Sequence, residues 1–116
     1  MQIRQRFLST LIFLAFISEA MAQGLVNEYQ QFMAVYNEKN YSRCSLLGIP
    51  LANSTDHPGI QYKLAECLCQ IGQTNQSLAL LDTLSKRGLT YNVEANKLLS
   101  PLFSNQHFQE YAKQFK

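Results

Sequence analysis

HPGIQYKLAECLCQIGQTNQSLALLDTLSKRGL, residues His57–Leu89, is the stretch whose reading decides the fold. In its second half Leu78, Leu81 and Leu84 recur every three residues with Leu80 beside them, so Asn75–Lys86 reads as a helix with one apolar stripe. In its first half Pro58 suits a first helical position, where a missing N–H is no loss. Tyr62, Ala65 and Cys69 then continue along one face. Gly72 lies between the two helices, where a residue past the helix end adopts the left-handed conformation without a side-chain penalty. Gly88 ends the second helix, and Arg87 just before it complements the helix dipole. The stretch is a helical hairpin.

The same punctuation extends outward. Upstream, Leu25, Tyr29, Phe32 and Tyr36 recur at helical spacing, which predicts a helix over Leu25–Asn37. Asn40-Tyr41-Ser42 reads as a turn, and a second helix starts over Ser42–Leu47. Gly48-Ile49-Pro50 should end or kink it, because an interior proline loses a backbone hydrogen bond and crowds the preceding turn. Asn53–His57 reads as a polar loop. Downstream, Asn92–Leu99 predicts a shorter helix interrupted before Pro101, and Gln106–Phe115 a closing helix with Phe108, Tyr111, Ala112 and Phe115 on its apolar stripe. No segment alternates with period two, so the class is all-α, with about five to six helices.

The hairpins repeat. Lys39-Asn40-Tyr41-Ser42-Arg43-Cys44 aligns with Gly72-Gln73-Thr74-Asn75-Gln76-Ser77 at an offset of 33, and Gln106-His107-Phe108 follows at 34 from Gly72. Periods of that length mark stacked helical hairpins. His57–Leu89 resembles one tetratricopeptide repeat: Gly72 at the inter-helix glycine, Leu64-Ala65 at the large-then-small pair, Leu68 at a large position, Ser77 at the small position of the second helix, and Leu81 and Leu84 at later packing positions. Gly88–Phe115 is similar to the degenerate closing repeat of such arrays in exported bacterial proteins. There a Leu-rich stretch, here Leu98-Leu99-Ser100-Pro101-Leu102, precedes an aromatic-containing helix. The first hairpin departs from the pattern, with Gly48 where a bulky residue belongs and Pro50 inside its second helix.

The resemblance implies a right-handed stack of antiparallel hairpins whose first helices line a concave, peptide-binding side. Carried over by residue, that groove would present Tyr29, Met33, Tyr36 and Asn37 from the first repeat, and Tyr62, Glu66, Cys69 and Gln70 from the second. An equally direct reading of the spacing has Tyr29 and Tyr36 sharing a core face with Leu25 and Phe32.

The chain has 116 residues and room for one domain. Its first 22 residues read as a secretory signal: Arg4 and Arg6 with no acid, the apolar run Phe7–Ile17, then Ala20-Met21-Ala22 with small side chains at a cleavage site. That run is well short of the ~20 residues of a membrane span. The expected domain is 23–116, exported to the periplasm or beyond, soluble and without a membrane span after cleavage near Ala22. It would carry eight basic against seven acidic side chains and only one adjacent basic pair, Lys86-Arg87. So level a surface argues against nucleic-acid binding, which needs many phosphate contacts.

Chemistry is sparse. Only His57 and His107 are present, His57 in a turn that opens a helix and His107 at the start of the last one, and no nucleophile elbow, phosphate-binding glycine loop or paired-histidine motif occurs. No enzyme activity, metal or cofactor is expected. Cys67 and Cys69, two apart on a helix, point about 200° away from each other and cannot easily bond. The three thiols read either as buried free cysteines or as a disulfide of Cys44 with Cys67 or Cys69 that leaves one thiol over. Asn40-Tyr41-Ser42, Asn53-Ser54-Thr55 and Asn75-Gln76-Ser77 match the glycosylation sequon, which matters only in a eukaryotic secretory route. The function expected is a non-enzymatic module that binds a protein or peptide. The alternatives are an accessory or oligomerisation segment of a larger exported enzyme, and a carrier of a small apolar ligand, which would need a closed cavity.

Overall fold

The computed structural model describes residues 23–89 and 91–113. The expected signal Met1–Ala22 and the stripe residue Phe115 lie outside the described residues. The architecture is all-α, as expected, with no strand among the described residues. Helix α1 covers residues 23–37, α2 Tyr41–Thr55, α3 Pro58–Gln70, α4 Thr74–Lys86 and α5 Gln106–Lys113. Two 3-10 segments, Val93–Ala95 and Lys97–Leu102, fill the span between α4 and α5.

The hairpins α1–α2 and α3–α4 close through the same backbone turn, 33 positions apart. Lys39 and Gly72 both take positive φ, 62° and 86°. The next N–H in each case reaches back five residues: Asn40 N to Val35 O at 2.9 Å, Gln73 N to Leu68 O at 2.9 Å. This is the turn that satisfies the last carbonyls of a helix through a left-handed residue. Gly88, with φ 77° and Leu89 N on Leu84 O at 3.1 Å, ends α4 the same way.

Helix α2 corrects the sequence reading. It neither ends at Gly48-Ile49-Pro50 nor leaves Asn53–His57 as a loop, but runs through Pro50 to Thr55. Proline at 50 removes the N–H that would bond the carbonyl of Leu46, and Leu46 is the most solvent-exposed large apolar residue among the described residues, 73 % open, so water can take that carbonyl. Beyond the proline, Leu51 and Ala52 are buried and hold the last turns to the core. The loop shrinks to Asp56 in the left-handed region (φ 51°) and His57, whose Nδ1 caps α3 by accepting from Gly59 N at 3.1 Å and Ile60 N at 3.3 Å. Arg87 at the end of α4 ties this corner, donating to Gln61 Oε1 at 3.0 Å and to the Asp56 carboxylate at 3.4 Å.

Gly48 has a packing reason. A Cβ built there would lie 2.8 Å from Cε2 of Phe32 and 3.0 Å from Cδ1 of Leu64. Phe32 thus fills the volume that the absent side chain leaves. The equivalent positions 33 further on hold the opposite sizes, Ala65 and Leu81, both fully buried. Each hairpin pairs one large with one small residue at these two places, in opposite order.

Helix α3 is central. Its Ile60, Leu64, Cys67 and Leu68 join Phe32, Val35, Cys44, Leu51 and Ala52 in one core with α1 and α2. Its Ala65 and Cys69 join Leu78, Leu81, Val93, Leu99, Leu102, Phe108, Tyr111 and Ala112 in a second core with α4 and the C-terminal segment. Helix α4 reaches α3 closely through Ser77, whose buried hydroxyl donates to Ala65 O at 2.6 Å. The expected helix over Asn92–Leu99 is replaced by the two 3-10 segments, and Pro101 sits inside the second of them. Asn96 divides them: its backbone is extended, and its Oδ1 accepts from Leu98 N at 3.0 Å, which caps the second segment.

Candidate functional site

Of the eight side chains that the repeat resemblance assigns to a concave groove, the fold gathers three in one polar cluster. Tyr36 comes from α1, Tyr62 and Glu66 from α3. The Tyr36 hydroxyl donates to Glu66 Oε1 at 3.0 Å. Glu66 is only 5 % exposed. Its other oxygen accepts from Asn96 Nδ2 at 3.0 Å, and the same amide donates to the Tyr62 hydroxyl at 2.9 Å. The Tyr62 ring stacks on Tyr91 with centroids 4.1 Å apart and planes 8° from parallel. Lys63 Nζ lies 5.7 Å above the Tyr36 ring. Burial first, and the nearby Glu66 carboxylate second, push the Tyr36 phenol well above its usual range, and burial chiefly does the same for Tyr62. Both phenols therefore remain neutral hydrogen-bonding groups at physiological pH.

The rest of the assigned set is dispersed. Cys69 is a buried thiol in the second core rather than a groove residue, with its pKa raised mainly by burial. Gln70 is exposed but bonds within the chain, donating to Leu98 O at 2.7 Å. Met33 packs on the first core and Asn37 is exposed. Tyr29 lines a different hollow of about 360 Å³, with Leu25, Val26, Leu51, Thr55, His57 and Ile60, where the start of α1 faces the α2–α3 corner. The face of α3 that the resemblance offers to a ligand is thus covered by residues 91–102 of the same chain. Cys44, for which two partners were open, is joined to Cys67 with Cα atoms 6.2 Å apart, linking α2 to α3.

No family model, curated protein or solved structure matches this chain.

A second group of exposed apolar side chains lies on the opposite side of α3, between α2 and α4. Leu46, Ile49 at 43 % and Ile71 at 38 % exposure stand at the edge of two open hollows of about 370 and 280 Å³. The hollows share Ile49, Leu68 and Gln76, so they form one channel floored by Leu64 and Leu68 of α3. The remaining lining residues are Ser42, Ser45, Ala52, Asn53, Gln61, Gln73 and Leu80. Every one is uncharged. Sequence reasoning passed over this channel because Gly48-Ile49-Pro50 was expected to end or kink the second helix and Asn53–His57 to be a loop. Continued through Pro50, the pattern places Leu46 and Ile49 off the buried stripe of Cys44, Gly48 and Leu51, and such a surplus of apolar residues marks a second apolar face. Among the described residues no group of three or more His, Cys, Asp or Glu could hold a metal ion, and no helix is long and apolar enough to cross a membrane.

Proposed function

We propose that this chain is an exported, non-enzymatic binding module of stacked tetratricopeptide-like hairpins, and that it takes an uncharged apolar helix or peptide of a partner protein in the α2–α4 channel. The observation that carries the reading is the exposure of Leu46, Ile49 and Ile71 along a channel lined with no charge. Apolar surface of this kind gains by leaving water on association. The serine, asparagine and glutamine side chains on its walls can bond a partner's backbone, while a partner charge buried there would lack a counter-ion. The Cys44–Cys67 disulfide supports an oxidising compartment, in keeping with the signal-like Met1–Ala22.

The test uses a photo-crosslinking residue at position 46, compared with one at the exposed Lys113, in the native envelope or secreted fraction. A discrete partner should be captured from position 46 alone, and Ile71→Asp should abolish the capture while thermal unfolding is unchanged. Equal capture from both positions, or capture insensitive to Ile71→Asp, would overturn the assignment.

A further inference from the structure

We infer that Gln23 is a modification site, and that on release as the first residue of the mature chain it closes to a pyroglutamyl lactam. The inference rests on the proposed cleavage after Ala22, which frees the α-amino group of Gln23. The reaction is internal to that residue. The α-nitrogen attacks Cδ of its own carboxamide, the new N–Cδ bond closes a five-membered ring, and the Cδ–Nε2 bond breaks. A proton passes from the α-nitrogen to Nε2, which leaves as ammonia, so no oxidant, reductant or co-reactant is needed.

Three features of the fold favour closure. Gln23 is exposed, and the hydrogen bond its carboxamide makes, to Asn27 Oδ1, is long at 3.4 Å and at the surface, so little holds Cδ away from the amine. The neighbour is Gly24, which brings no side chain of its own against the ring as it forms. Residues 23–37 are helical, so a free α-ammonium would sit at the positive end of the α1 dipole, a like-signed placement that the neutral lactam removes. With an α-amino pKa of about 7.7–8.0, a useful fraction of the amine is unprotonated and nucleophilic at neutral pH.

The exported protein is digested and its N-terminal peptide sequenced by mass spectrometry and by Edman degradation, beside a Gln23→Glu variant. The expected peptide starts at residue 23, is lighter by one ammonia, and yields no Edman residue until pyroglutamyl aminopeptidase is added. The Gln23→Glu peptide should keep a free amine, because a carboxylate is a poor electrophile. A peptide starting at Gln23 with an intact, Edman-reactive amine after prolonged storage at neutral pH would leave the cleavage site standing and overturn the lactam. A peptide starting elsewhere would overturn the cleavage site and the lactam together.

Discussion

Gly48→Ala separates two effects of opposite sign at one residue. In a helix interior, glycine to alanine ordinarily stabilises by about 0.8–1 kcal/mol, because alanine loses less backbone entropy on folding. Position 48 is inside α2, so propensity alone predicts a gain. Against it stand the contacts of the added methyl, 2.8 Å from the Phe32 ring and 3.0 Å from Leu64. Both partners are buried and cannot swing into solvent. Overpacking of this kind costs about 1–3 kcal/mol. The clash should win, leaving a net loss of about 1 kcal/mol, which for a domain of this size lowers Tm by roughly 4–8 °C. Gly24→Ala is the control, since a methyl there meets nothing within 4 Å and should be neutral or slightly stabilising. Phe32→Leu should recover part of the loss when combined with Gly48→Ala, as coupled neighbours do. Thermal and urea melts of the four proteins, with unchanged m-values, provide the reading. A Gly48→Ala protein that melts higher than the wild type would refute the packing of Phe32 against α2 and the large-for-small exchange between the hairpins.

Asn96→Ala should destabilise by about 2–4 kcal/mol, since it removes bonds to Tyr62 and the Glu66 carboxylate together with the cap on Leu98. Asn96→Asp, which keeps the cap but sets a second carboxylate beside Glu66, should be the worse of the two in urea melts. Loss of the Cys44–Cys67 bond in the Cys44→Ala/Cys67→Ala double variant should cost about 3 kcal/mol, the loop-entropy figure for a separation of 23 residues. The non-reduced, unfolded wild type should then show one titratable thiol, Cys69. His107 Nε2 donates to Asp82 Oδ2 at 3.0 Å, and this hydrogen bond, together with the carboxylate charge, raises the imidazole pKa above its ordinary value. Its contribution to stability is therefore present below about pH 6.5 and lost as pH rises through the raised folded value. An NMR titration should place His107 above about 6.5 and return it there in Asp82→Asn.

The parts of the fold legible in the sequence are those decided locally. Pro58, Gly72 and Gly88 stop or start helices through their own backbone restrictions, and all three stand at helix ends. The offset of 33 between Lys39 and Gly72 proved to be an offset between identical turns. Pro50 does not end the helix, because tertiary context outweighs its local rule: the carbonyl it frees belongs to an exposed residue, and the turns beyond it are held by buried Leu51 and Ala52. At the candidate site, Tyr62 and Glu66 share a face by their spacing of four. Their partners Tyr91 and Asn96 come from about 30 residues away, and no periodicity announces such a pairing. The apolar surplus at Leu46 and Ile49 is present in the sequence but shows as a second face only when the helix is continued through Pro50 to Thr55.

The covering of α3 bears directly on where a partner can bind. For a peptide to occupy the face of α3 that carries Tyr62, Glu66 and Gln70, residues 91–102 would have to leave it. That movement breaks both bonds of the Asn96 amide and the Gln70–Leu98 bond, and it exposes Val93, Leu99 and Leu102, each at most 1 % accessible. Re-exposing three such side chains costs about 1.5–3 kcal/mol apiece before any polar loss. A small domain has only about 5–15 kcal/mol in all. Opening that face is therefore close to unfolding the second core, and a partner would have to supply most of a domain's stability to occupy it. The α2–α4 channel makes no such demand, because Leu46, Ile49 and Ile71 already stand in water and a partner needs only to cover them. On these magnitudes Tyr62 and Glu66 of α3 act as a latch for the C-terminal segment, and the channel on the other side of α3 can be covered without opening either core.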